Sequence, residues 1–177
     1  MKHLNIYFDM DGVLAQYEKN AYNSYNPIAL QHGSHYFQTV APDKRAIDIF
    51  RACHNQCNTK ILTVLNKEGS LFLEQYNDKR IWLESQSIPS NLLIPVMGEE
   101  KCDLITSTIN TNLTKDYILI DDFNHNLECW RKAGGLAIKY LNGENSKDSY
   151  NGPIIDSRMS TEDVIKMIGI LTNINLY

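Results

Sequence analysis

Apolar residues fall along the chain in short continuous runs, each followed by a stretch with helical spacing. Leu4 to Phe8, Lys60 to Leu65, Leu92 to Met97, Tyr117 to Ile120 and Leu136 to Tyr140 are each strand-length and end at polar or turn residues. Between the first two, Ile47, Ile49, Phe50, Cys53 and Cys57 form a helical stripe behind Pro42, a residue suited to a first helical turn. A second helix is predicted from about Gly69 to Ser87, closed by Pro89. A third opens at Gly98-Glu99-Glu100-Lys101 and carries Cys102, Ile105 and Ile109. A fourth, Asn124 to Ala133, buries Leu127 and Trp130 and stops at Gly134-Gly135, where positive φ is cheap. Ser160-Thr161-Glu162-Asp163 resembles a capping box ahead of Val164, Ile168 and Leu171. Strands that are apolar throughout, instead of alternating, suit a parallel sheet covered on both faces. The prediction is therefore an α/β fold, a doubly wound, Rossmann-like parallel sheet in a single domain over 1–177. A polar, aromatic segment, about 16–41, is inserted after the first strand, and Asn142 to Gly152 reads as a polar loop.

Composition narrows the function classes. The 177 residues are 43% hydrophobic and 10% aromatic, enough for a packed core, and 17 Lys+Arg against 21 Asp+Glu give a net charge of −4. That balance argues against a general affinity for nucleic acid or anionic membrane, and a small anion fits only where basic groups gather locally. No window approaches the roughly 18 apolar residues of a membrane span, and Asp9 interrupts the first apolar run before a signal sequence is complete. Of the four cysteines, only Cys53 and Cys57 lie at helical spacing, with neither a Cys-x-x-Cys pair nor a two-pair zinc spacing. They read as reduced thiols, and the expected compartment is the cytoplasm.

In doubly wound sheets the ligand sits at the carboxyl ends of the strands, beside the point where strand order reverses. The polar residues ending strands are Asp9 and Asp11, Thr63, Asp121 and Asp122. Taken singly, each is an ordinary strand-to-turn junction, and a calcium loop is excluded because Val13-Leu14-Ala15 replaces the further oxygen ligands. Taken together, a strand ending Asp-x-Asp, one ending Thr, a Lys opening a helix and a strand ending Asp-Asp form a pattern. The chain resembles the haloacid dehalogenase-like superfamily of aspartate-nucleophile phosphohydrolases, and Asp9-Met10-Asp11-Gly12-Val13-Leu14-Ala15 is most similar to its deoxyribonucleotidase branch. Ile61-Leu62-Thr63, Lys101 and Leu119-Ile120-Asp121-Asp122 resemble the later motifs.

The resemblance implies an Mg²⁺-dependent phosphatase of a small phosphomonoester, with a nucleoside monophosphate the expected substrate. Asp9 would attack phosphorus to form an aspartyl-phosphate. Asp11, two residues on and so on the same side of the strand, would exchange protons with the leaving oxygen and the attacking water. Mg²⁺ would bind Asp9, the Asp11 carbonyl and Asp122, while Asp121 would support Lys101 or a metal-bound water. Thr63 would donate to a phosphate oxygen, the alternative being an ordinary β-branched strand residue. Lys101 would neutralise charge. Its rivals are Lys115, in a polar loop, and Lys79, mid-helix and expected on the wet face. Asn126 stands where many members carry an acid. The insertion would act as a small cap over the leaving group, with Tyr17 either lining a base pocket or packing cap against core. Two other readings stay open: a catalytically retired member that binds a phosphorylated ligand or partner, and a phosphatase of nucleic-acid ends, which the net charge disfavours.

Overall fold

The structure, a computed structural model, describes residues 4–16, 35–67, 69–156 and 158–176. In chain order these hold β1 (Asn5–Asp9), α1 (Tyr36–Thr39), α2 (Lys44–His54), β2 (Asn58–Val64), α3 (Gly69–Ser85), β3 (Leu93–Val96), α4 (Lys101–Ile109), β4 (Tyr117–Asp121), α5 (Asn124–Lys132), β5 (Leu136–Tyr140), β6 (Ile154–Ile155) and α6 (Thr161–Thr172). The strands form one six-stranded sheet in the order β3-β2-β1-β4-β5-β6, and every pairing is parallel. Strand order runs outward from β1 through β2 and β3, then restarts on the other side with β4. The switch point therefore lies between the carboxyl ends of β1 and β4.

Both faces of the sheet are covered, and the period-2 alternation of side chains sorts the core. Ile6, Phe8, Ile61, Ile118, Ile120 and Ile138 pack with residues of α2, α3 and α6. Their neighbours Tyr7, Leu62, Leu119 and Ala137 pack with α4 and α5 through Cys102, Ile105, Leu127 and Trp130. This double burial explains why the strands read as unbroken apolar runs. No helix is long and apolar enough to cross a membrane among the described residues.

Local differences from the sequence-based elements have physical causes. Helix α2 starts later than Pro42 suggests, because the Asp43 side chain caps it by accepting from the Ala46 amide at 3.0 Å. The capping box at Ser160 and Asp163 forms as expected. Strand β6 escapes the pattern because two residues are too few to show a period. The cap expected over 16–41 falls mostly outside the described residues, as does Tyr17. Its described end packs on α3, where the Trp82 indole donates to the Val40 carbonyl at 2.7 Å and Gln38 donates to Asp78 at 2.6 Å.

Candidate active site

Parallel register brings the strand ends level. Phe8 pairs with Ile120, so Asp9 and Asp121, the next residues, end neighbouring strands, and Asp121 in turn pairs with Lys139. Beyond Asp9 the chain turns. Val13 and Ala15 donate back to the Met10 carbonyl, and Gly12 takes φ +82° with its Cα so close to Asp122 that a Cβ would lie 2.4 Å from Oδ2. Asp11 therefore reaches the site from this turn and not, as the two-residue spacing suggests, from the same side of a continuing strand. Asp9, Asp11, Lys101, Asp122, Phe123 and Lys139 are among the residues lining an open cavity of about 670 Å³.

Two buried lysines organise the carboxylates. The Lys101 ammonium lies 2.7 Å from Asp9 Oδ1 and donates at 2.7 Å to Asp121 Oδ2. Burial alone would lower its pKa, but Asp121 and Asp9 outweigh that and hold it charged. Asp9 Oδ1 also accepts from the Met10 amide at 2.8 Å, so the Lys101 ammonium and this amide converge on one oxygen of a residue that borders the cavity. Burial pushes the Asp9 carboxyl well above the usual range, with Lys101 pulling the other way. Asp121 is fully buried and saturated: Oδ1 accepts from the Phe123 amide at 2.8 Å, and Oδ2 accepts from Lys101 and from Asn126 Nδ2 at 3.0 Å. Asn126 thus supplies a donor that an acid could not.

Lys79 overturns its sequence reading. It is 0% exposed, and its ammonium donates to Asp11 Oδ2 and, at 2.5 Å, to Thr63 Oγ1, while lying 4.4 Å from the centroid of the Phe37 ring. A mid-helix lysine is expected on the wet face, but α3 buries Asp78 and Lys79 together with Trp82 and Leu83 and so turns two charged residues inward. Thr63, also fully buried, directs its hydroxyl to Asp11 Oδ2 at 3.1 Å, and Val64 borders the cavity beside it. The Thr63 and Lys79 contacts of Asp11 both fall on Oδ2, and Asp11 borders the cavity. Asp9, Asp11, Thr63, Lys101, Asp121 and Asp122 are brought together.

Asp122 accepts from Asn142 Nδ2 at 3.2 Å, and burial lifts its pKa to about 7. Lys139 donates to the Asp122 carbonyl at 3.0 Å and to Asn124 Oδ1 at 2.5 Å, and burial lowers its pKa. The sequence reading gave Lys139, Asn142 and Asn145 no role. A lysine inside an apolar strand run was the available signal, since a buried lysine needs partners. The fit for a metal is favourable: Asp9 and Asp122 bring carboxylate oxygens within 4.8 Å of one another beside the saturated Asp121, and oxygen ligands suit a hard cation.

No family model matches the chain, and no curated protein matches it in sequence. Solved structures do. A haloacid dehalogenase-like family hydrolase from Xanthomonas campestris aligns with a TM-score of 0.65 over 97% of this chain and 98% of its own, at 11% identity. The D,D-heptose 1,7-bisphosphate phosphatase of B. bronchiseptica, solved with magnesium and phosphate, gives 0.59 over 93% and 99%, at 10% identity. A HAD family hydrolase from Deinococcus radiodurans, with bound phosphate and sodium, gives 0.56 over 99% of both chains, at 10% identity. Identities this low speak for the fold, and the fold is that of the haloacid dehalogenase-like hydrolases.

Proposed function

We propose that this protein is a divalent-metal-dependent phosphatase acting on a small phosphomonoester through an aspartyl-phosphate on Asp9. The observation that carries the reading is the pairing of two carboxylates at one cavity with separate buried lysines, Lys101 on Asp9 and Lys79 on Asp11. Asp9 Oδ2 is the nucleophile. Lys101, fixed by Asp121, lowers the repulsion between that carboxylate and an incoming phosphate dianion. Asp11 enters the reaction carrying a proton on Oδ1, gives it to the leaving oxygen and regains one from the attacking water, while Thr63 and Lys79 hold Oδ2 and so fix the carboxyl plane. Mg²⁺, held by Asp9, Asp122 and the Asp11 carbonyl, would neutralise charge on the transferring oxygens. Asp121, with both oxygens occupied, positions Lys101.

The proposed substrate is a nucleoside monophosphate. Phe123 supports a flat leaving group: its ring is 60% exposed and borders the cavity, where base stacking is worth about 1–3 kcal/mol. The test is a panel of 5′- and 3′-deoxynucleotides, sugar phosphates, an aryl phosphate and a 3′-phosphorylated oligonucleotide, assayed with Mg²⁺ and with chelator. Mg²⁺-dependent release of phosphate from the small esters supports the reading. Activity that survives chelation, or a folded Asp9→Asn variant that keeps substantial turnover, removes it.

A further inference from the structure

Cys129, one of the thiols read from the sequence as reduced, stands beside a histidine and a carboxylate. Glu100 is the N-cap residue of α4, and His125 and Cys129 stand four apart on α5, hence on one face of that helix. Glu100 Oε1 lies 2.9 Å from His125 Nε2, and that nitrogen lies 3.7 Å from Cys129 Sγ. One ligand atom from each residue falls within 4.8 Å of the others. We propose that Glu100, His125 and Cys129 form a second metal site, for Zn²⁺, distinct from the oxygen cluster of Asp9 and Asp122.

Bond geometry supports the assignment. Tetrahedral Zn²⁺, with Zn–N of about 2.0–2.1 Å and Zn–S of about 2.3 Å, sets nitrogen and sulfur roughly 3.6 Å apart and nitrogen and oxygen roughly 3.3 Å apart. The first separation is already present, and the second needs Glu100 Oε1 to retreat by a few tenths of an ångström, easy for a side chain 42% exposed. A Glu100–His125 ion pair by itself would stabilise little at such exposure and gives no reason for the thiol. Sulfur and imidazole select a borderline-soft cation, so Mg²⁺ would not compete. Three protein ligands leave a fourth position to water. On binding, the Cys129 S–H bond breaks, its proton passes to solvent and the thiolate pair forms the Zn–S bond, with His125 neutral and Nε2 unprotonated. The ion would join the residue before Lys101 to the helix that follows Asp122.

The proposal does not depend on the phosphatase reading, and its test reads metal alone. Zn²⁺ is titrated into the full chain against a chromophoric chelator with Mg²⁺ saturating, and Co²⁺ is added separately as a spectroscopic probe. One Zn²⁺ should bind. Cys129→Ser and His125→Ala should each weaken it at least about tenfold, and Cys57→Ser, on α2's far side of the sheet, should leave it unchanged. Wild type should show a thiolate-to-cobalt charge-transfer band that Cys129→Ser abolishes. Absence of Zn²⁺ binding in Mg²⁺, absence of the thiolate band in wild type, or an affinity that follows Cys57 and not Cys129 would overturn the site.

Discussion

Replacing Lys79 by Met separates what this residue does for the fold from what it does for the chemistry. Methionine keeps most of the stem's volume and removes the ammonium from a position with 0% exposure. Four contributions change. The charge-assisted bonds to Asp11 and to the Thr63 hydroxyl, about 1.5–3 kcal/mol each, and the contact with the Phe37 ring, about 0.5–2 kcal/mol, are lost. Against them, the ammonium no longer has to be stripped of water, a penalty of several kcal/mol for a buried ion. Asp11 keeps its Thr63 bond and its side chain is 26% exposed, so the carboxylate left behind can be hydrated from the cavity. The net change in stability should lie within about 2 kcal/mol of zero, either sign, by chemical denaturation. Turnover should behave otherwise. If Lys79 fixes the plane of Asp11, losing about 1.5–3 kcal/mol of that support lowers kcat/KM roughly ten- to hundredfold. The loss should be large for an alkyl or nucleoside phosphate, whose leaving oxygen needs a proton. It should be small for p-nitrophenyl phosphate, whose leaving group departs without one. Equal losses on both substrates, or a fold that collapses, would refute the positioning role.

Further expectations follow from the same contacts. Asp9→Asn should abolish turnover, measured as phosphate release, and lower thermal stability less than Asp121→Ala does, because burial already disfavours the Asp9 carboxylate and the amide oxygen can still accept from Lys101. Asp121→Ala strands the buried Lys101 with one partner and should cost about 3 kcal/mol, roughly 6–12 °C in Tm; Asp122→Ala should weaken Mg²⁺ binding more than Asp121→Ala does, by calorimetric titration. Burial raises the Asp122 pKa from the usual carboxylate range to about 7, so its charged form destabilises the fold increasingly between about pH 4 and 7 and fully above that. A bound cation offsets that cost, so Mg²⁺ should raise Tm more at pH 8 than at pH 5, and equal increments would contradict it. Gly12→Ala forces a side chain into φ +82° and against Asp122, which should cost about 1–2 kcal/mol in backbone strain and lower Mg²⁺ affinity in the same titration.

The class of the fold and most residues of the candidate site are legible in the order of apolar and polar residues. Continuous apolar runs need two covering layers, and neighbouring parallel strands carry their carboxyl ends to the same edge of the sheet, so Asp9, Thr63 and Asp121 are legible as one cluster before any contact is known. Which oxygen meets which lysine was not legible. Lys79 lies on a helix without a clean apolar stripe, and only the packing of α1 and α3 over the turn after β1 decided that its ammonium is buried on Asp11. Asp121 and Asp122 are adjacent and chemically identical in the sequence. Strand pairing turns the first inward to Lys101 and Asn126 and leaves the second at the cavity beside Asn142. Glu100, His125 and Cys129 carry no motif spacing, since two helices that meet only in the folded chain supply them. Periodicity records which side of an element is buried, whereas pairing between charges depends on distances across elements, and those exist only once the sheet and its helices have packed.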